Sequence, residues 1–247
     1  MPDQWDAVAA AMRAAVLDTV AALGVVTPPA PTGPTSVDLS RWKLTIPEVR
    51  DGKVVEIKPP ALATYTDRYF ARVDGALRFR CWHGGATTSG SSNPRSELRE
   101  LNADGTLAKW STRKGRHELT VRGQVNRLTK VRPHVVLAQL HGGDDDVTTF
   151  RLEGQKLWIT RGDDTHAHLV TDDFRLGQPY ELRILAVDGE ISYAYQGREV
   201  AYRLDADDDS VYAKAGAYLQ SNPKTAPGES TDEYAEVLIY GAQVTHS

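Results

Sequence analysis

From Val37 to the C-terminus the chain is cut into short extended runs by Asp-Gly pairs, and this punctuation limits its fold more than any other feature. The pairs stand at 51–52, 74–75, 104–105 and 188–189. Each supplies the positive φ angles that a tight two-residue hairpin demands. The clearest hairpin is Tyr180–Val187, Asp188-Gly189, Glu190–Tyr195. Further strands are predicted at Ala76–Trp82, His117–Val125, Val135–His141, Thr148–Thr160, Tyr212–Ser221 and Tyr234–Thr245. No long helical period occurs after residue 35, and no internal repeat is present. Many short strands at this spacing predict an all-β fold, an antiparallel sandwich or barrel, of which a β-sandwich jelly roll is the expectation carried forward. With 247 residues, 40% of them apolar, the chain can bury a substantial core.

The first 26 residues follow a different pattern. Trp5, Val8, Met12, Val16, Val20 and Leu23 recur at three- to four-residue spacing, with Ala between them. This predicts an amphipathic helix over 3–23, stopped at Gly24 and lying outside the sandwich. Residues 27–36 are Pro-rich and read as an extended linker, which leaves 37–247 as the main domain. Asp3, Asp6, Arg13 and Asp18 interrupt the N-terminal region and no basic n-region precedes them, so no secretory signal is read there. No apolar run approaches the roughly 20 residues of a membrane span. The single cysteine, Cys81, leaves no intrachain disulfide.

The net charge of −4 conceals an asymmetry. Residues 65–135 hold 14 Lys/Arg against 6 Asp/Glu, whereas 136–247 hold 9 against 20. A basic half suits an anionic partner, and it equally suits a solvated surface with cross-sheet ion pairs. The acidic runs Asp144–Asp146 and Asp207–Asp209 lack calcium-loop spacing and read as solvated loops.

Three predicted strands carry polar faces. A strand sends alternate residues to opposite sides. Arg95, Glu97 and Arg99 therefore share one face, with Ser96 and Leu98 on the other. Gln139 and His141 share a face, and Leu140 points away. Tyr212, Lys214, Tyr218 and Gln220 lie opposite Ala213, Ala215, Ala217 and Leu219. Gly216 leaves room on the polar side for a sugar ring or another backbone. An ion-pair ladder would explain the first set alone, a structural His the second, and a solvent-facing strand the third. Together they form a surface chemically suited to a polyanion.

These residues resemble the alginate lyases of polysaccharide lyase family 7. That family carries R-(S/T)-E-L-R, Q-(I/V)-H and Y-x-K-A-G-x-Y-x-Q motifs in this order. Here they read Arg95-Ser-Glu-Leu-Arg99, Gln139-Leu-His141 and Tyr212-Ala-Lys-Ala-Gly-Ala-Tyr-Leu-Gln220. The stretch Leu39–Pro47 is similar to the family's opening strand. The resemblance runs from about residue 37 to the C-terminus. Leu140 matches neither the Ile that accompanies guluronate substrates nor the Val that accompanies polymannuronate, so both uronates stay open.

The resemblance implies β-elimination on a 4-linked uronate, by an enzyme that is secreted, monomeric, endo-acting and free of metal or other cofactor. Its expected partner is anionic alginate, with neither nucleic acid nor membrane. Arg95, Gln139 and His141 would neutralise the C6 carboxylate, and Tyr218 would act as acid and base, with His141 as base toward guluronate. Glu97, Arg99, Tyr212, Lys214 and Gln220 would bind substrate. Arg95 and Lys214 are the expected sources of the positive charge that activates Tyr218. A glycoside hydrolase would need two flanking carboxyls, and the E-x-D-x-x-E pattern of the laminarinase-like families is absent. Glucuronan cleavage and non-catalytic polyuronate binding are the remaining alternatives.

Overall fold

The structure is a computed structural model that describes residues 36–247. The predicted N-terminal helix and all but the last residue of the Pro-rich linker lie outside the described residues. Fifteen strands follow in the described part. They are β1 (Trp42–Arg50), β2 (Lys53–Ile57), β3 (Phe70–Val73), β4 (Ala76–Trp82), β5 (Arg95–Glu100), β6 (Arg116–Arg127), β7 (His134–His141) and β8 (Asp146–Glu153). Next come β9 (Lys156–Arg161), β10 (Asp164–Thr171), β11 (Pro179–Val187), β12 (Glu190–Tyr195), β13 (Arg198–Asp205), β14 (Tyr212–Leu219) and β15 (Tyr234–His246). The helices among the described residues are two short 3-10 turns, Leu39–Arg41 and Ala61–Ala63.

Three of the four Asp-Gly pairs close hairpins between adjacent strands. At 51–52, 74–75 and 188–189 both residues have positive φ, and the turns join β1 to β2, β3 to β4, and β11 to β12. Asp104-Gly105 differs from the expected hairpin. Gly105 alone has positive φ there, and the turn closes a loop anchored by the isolated Leu101–Leu107 bridge.

The strands pair antiparallel into two sheets. One has eight strands in the order β10-β9-β8-β7-β14-β5-β1-β2, and the other has seven in the order β13-β12-β11-β6-β15-β4-β3. Each is apolar on the face toward the other, as strand alternation dictates. Leu44, Leu98, Leu140, Ala213, Ala215, Ala217 and Leu219 meet Phe79, Leu119, Val121, Leu182, Ile184, Val237 and Ile239 in one core. The predicted β-sandwich jelly roll is the observed fold.

Two expectations need correction. The predicted strand Thr148–Thr160 is two strands, β8 and β9, because Gly154 takes φ +62 and turns the chain between them. The acidic run 144–146 is not wholly a solvated loop. Asp146 begins β8, and burial together with neighbouring Asp145 raises its carboxyl pKa to about 6.

Candidate active site

The three motif strands are neighbours in the eight-stranded sheet, in the order β7-β14-β5. Their register places Lys214 between Gln139 and Arg99, Tyr212 opposite His141, and Tyr218 opposite Arg95. All seven side chains lie on the face turned away from the core.

Gly216 is what lets β14 lie so close to β5. Its φ is +151, and an added Cβ would stand 2.6 Å from the Ser96 carbonyl oxygen and 2.7 Å from the Glu97 Cα. The space opened by this glycine is therefore filled by the β5 backbone rather than held free for a sugar.

Glu97 is the hub of the cluster, with 2% exposure. Its carboxylate accepts from Arg95 Nη1 at 3.1 Å and from Gln139 Nε2, and lies 3.6 Å from Lys214 Nζ. A carboxylate so enclosed orients three donors and repels an anionic ligand. Burial, with the Arg95 and Arg99 charges acting against Glu97, lowers the Lys214 amine pKa to about 8. The Nε atoms of Arg95 and Arg99, Oε1 of Gln139 and Nε2 of Gln220 are buried without a hydrogen-bond partner. Buried polar groups are seldom left unpaired, so four such atoms in one cluster set this face apart from an ordinary sheet surface.

Two arginine–aromatic stacks flank the hub. The Arg95 guanidinium lies 3.9 Å from the centre of the Tyr218 ring, and that of Arg99 lies 3.7 Å from the centre of Tyr212. From the β7 side, His141 stacks on Tyr212 with ring centres 5.1 Å apart. Lys214 is 5.8 Å from the Tyr212 ring, so of the two expected cations Arg95 is the one in contact with Tyr218.

The hydrogen bonds of His141 fix its tautomer. Nδ1 lies 2.6 Å from the Gly142 carbonyl oxygen, which can only accept, so Nδ1 bears the proton. The Tyr212 hydroxyl oxygen is 3.0 Å from the same nitrogen. Nε2 is left with its lone pair. Burial lowers the imidazole pKa, and the Lys214 and Arg95 charges push the same way. The ring is thus a neutral base in the electrostatic reach of the hub.

A loop residue holds the Tyr218 hydroxyl. Ser91 Oγ donates to the Asn93 carbonyl at 3.1 Å and accepts from the Asn93 N–H. Its 2.9 Å contact with Tyr218 therefore leaves Tyr218 as the donor. Gln220 lies one residue beyond β14. Its Oε1 accepts from Arg151 Nη1 at 2.7 Å and from Asn93 Nδ2 at 3.4 Å.

Sequence reasoning missed four residues of this face: Lys43, Ser91, Asn93 and Arg151. Lys43 pairs in register with Arg99 and binds Glu56 at 2.6 Å. Alternation along β1 and β8 carries a signal for Lys43 and Arg151. Ser91 and Asn93 sit in a loop, where no periodicity exists to find them. Among the described residues no three His, Cys, Asp or Glu side chains are placed to hold a metal ion.

Comparison with known proteins places the chain in a family. Residues 37–246 match the family model described as alginate lyase. An alginate lyase from Corynebacterium sp. is 43% identical, with a TM-score of 0.81 over 86% of this chain and 96% of that one. The alginate lyase AlgAT5 of polysaccharide lyase family 7 is 40% identical, with a TM-score of 0.79 over 85% and 96%. The family 7 alginate lyase A1-II′, as a His-to-Asn and Tyr-to-Phe double variant in complex with the substrate GGMG, is 27% identical, with a TM-score of 0.72 over 85% and 94%. No curated protein sequence matches the chain. On the family match and on the two relatives at 40% identity and above, the chain belongs to the alginate lyases of polysaccharide lyase family 7.

Proposed function

We propose that this lyase cuts inside alginate chains, with Arg95, Gln139, His141 and Tyr218 as its catalytic groups. One observation carries the reading: the register that sets Tyr218 against Arg95, and Gln139 against Lys214, gathers donors, base and hydroxyl on one outward face. The C5 proton of a uronate is weakly acidic while the C6 carboxylate keeps its full charge. Arg95 and Gln139, held by Glu97, are aimed donors that stabilise the charge developing on that carboxylate. Lys214 adds positive charge beneath them. Glu97 is a positioning residue, because it is enclosed by the donors it orients.

The step itself balances simply. The C5–H bond breaks, its electrons form the C4–C5 double bond, and the C4–O bond breaks. In guluronate the proton and the leaving oxygen lie on opposite sides of the ring. His141 Nε2 takes the proton and Tyr218 donates one to the oxygen. In mannuronate both lie on one side, and Tyr218 serves in both roles. The Arg95 guanidinium stacked on its ring keeps Tyr218 beside the carboxylate-binding donors in either role.

Endo action is supported by an outward face that continues across strands on both sides of Tyr218, with Lys43 on β1 and Arg151 on β8. The step as written uses side chains of one protomer and draws on no metal or cofactor. A polymeric substrate places the enzyme outside the cell. The test is ultraviolet absorbance of the unsaturated product from polymannuronate, polyguluronate and glucuronan, followed by product sizing. We expect product from the first two and a ladder of intermediate oligomers. Preferred cleavage of glucuronan, or reducing ends formed without absorbance, would overturn the reading.

A further inference from the structure

One row of directly paired residues crosses the outward face of the eight-stranded sheet at the level of Tyr218. It runs from Arg95 on β5 to Tyr218 on β14, Val136 on β7, Arg151 on β8, Trp158 on β9 and Leu169 on β10. Three strand intervals separate Tyr218 from Trp158, a span of roughly 14 Å at the usual strand spacing. That is farther than the sugars on either side of the cut bond can reach.

The far end of the row is unlike an ordinary solvent-facing sheet edge. Trp158 is half-buried, with its indole N–H enclosed and without an acceptor. The His166 ring is tilted beside it with centres 4.6 Å apart, and Leu169 is 38% exposed. Lys156 lies two residues before Trp158 and so on the same face; it is exposed and has no carboxylate within ion-pair distance among the described residues. Between Trp158 and Tyr218, Arg151 is fully engaged with Gln220, Glu153 and His134 and forms a fixed floor. What a ligand can reach there is an apolar ring face and a free ammonium. A uronate offers a C–H face and a carboxylate, which match them one for one.

We infer that Trp158 and Lys156 form a distal subsite for one uronate unit of a chain lying along this row. The inference rests on the reading of Tyr218 as the centre of cleavage. It assigns to β9 a part in gripping long substrates and none in the chemistry.

The test compares polymeric alginate with an alginate trisaccharide on the full chain and on Trp158→Ala, Lys156→Ala and Trp158→Phe. Trp158→Ala should raise KM for polymer about five-fold or more, and leave kcat/KM on the trisaccharide within about two-fold of wild type. Lys156→Ala should act in the same direction, and its effect should fade in high salt. Trp158→Phe should restore most of the polymer affinity. Unchanged polymer KM in both alanine variants would overturn the subsite. So would equal losses on polymer and trisaccharide, which mark a merely structural Trp158. Wild-type enzyme that gives no unsaturated product would sink the cleavage reading and this inference with it, a result visible before any substitution is made.

Discussion

At the scale of single residues, the site is a set of charges held where water would not leave them. Tyr218→Phe removes only the hydroxyl. The Arg95 contact is with the ring, so alginate binding should survive while product formation stops. Calorimetric binding alongside the absorbance assay checks this, and normal turnover would exclude Tyr218 as the acid. As the proposed base, His141 should set the acid side of the pH profile. Its folded pKa is lowered by burial first and by Lys214 next, so the neutral base persists to lower pH than an ordinary histidine allows. Rates on polyguluronate should fall only once pH drops through that lowered value. An acid limb above the ordinary histidine range would refute the base role. Lys214 has a cost in stability. Its pKa near 8 in the fold, against 10.5 for the free side chain, means that its charge opposes folding by roughly 3 kcal/mol below pH 8. Between those two values the unfolded chain binds more protons at this site, so the penalty fades as pH rises. Lys214→Met should therefore raise stability in urea titrations at pH 7 while lowering activity, and a destabilised variant would count against it. Much of this site was legible, because alternation assigns Arg95, Glu97, Arg99, Gln139, His141, Lys214 and Tyr218 to one side of their strands. Alternation gave no depth, however. Glu97 looked like a surface ligand because nothing in its spacing tells an exposed carboxylate from an enclosed one.

At the scale of elements, the turns were read better than the strands. Asp-Gly announces its backbone angles chemically, so three hairpins could be read from sequence alone. The Gln196-Gly197 turn between β12 and β13 has the same positive φ values without the familiar pair, and β13 went unread. Strand β10 has exposed or half-exposed residues on both sides and shows no alternation to detect. Strands β2 and β3 are too short for a period of two to stand out. Within β14, Gly216 decides how closely two strands approach. Gly216→Ala forces a side chain into a φ of +151 and against the Ser96 carbonyl. A loss of about 2–4 kcal/mol is expected in urea denaturation, from backbone strain and overpacking together. A loss below about 0.5 kcal/mol would show that β5 yields easily.

At the scale of the whole molecule, the sequence could name two sheets but not their strand order. That order depends on which distant segments pair, and local patterns are silent on it. The observed order gathers β1, β5, β14, β7 and β8, with Lys43, Arg95, Arg99, Lys214 and Arg151 on one face. Only Arg95 and Arg99 of these five come from the basic stretch 65–135, while Arg151 and Lys214 come from the acidic stretch 136–247, so strand order rather than linear charge distribution collects the cations in a protein whose net charge is −4. Attraction to a polyanion should weaken with salt. KM for alginate should climb several-fold as screening shortens from about 10 Å at 0.1 M to about 3 Å at 1 M, with little change in kcat. A KM indifferent to salt would argue against a polyanionic substrate. The bond between Ser91 and Tyr218 has a further consequence at this scale. A glycosidic oxygen can receive the Tyr218 proton only after Ser91 gives it up, so occupancy of the cleft and attachment of the loop compete for one hydroxyl. By reciprocity, whatever fastens the loop must weaken substrate affinity by the same factor by which substrate loosens the loop. Substrate binding and the Ser91–Tyr218 tie are two sides of one binding equilibrium.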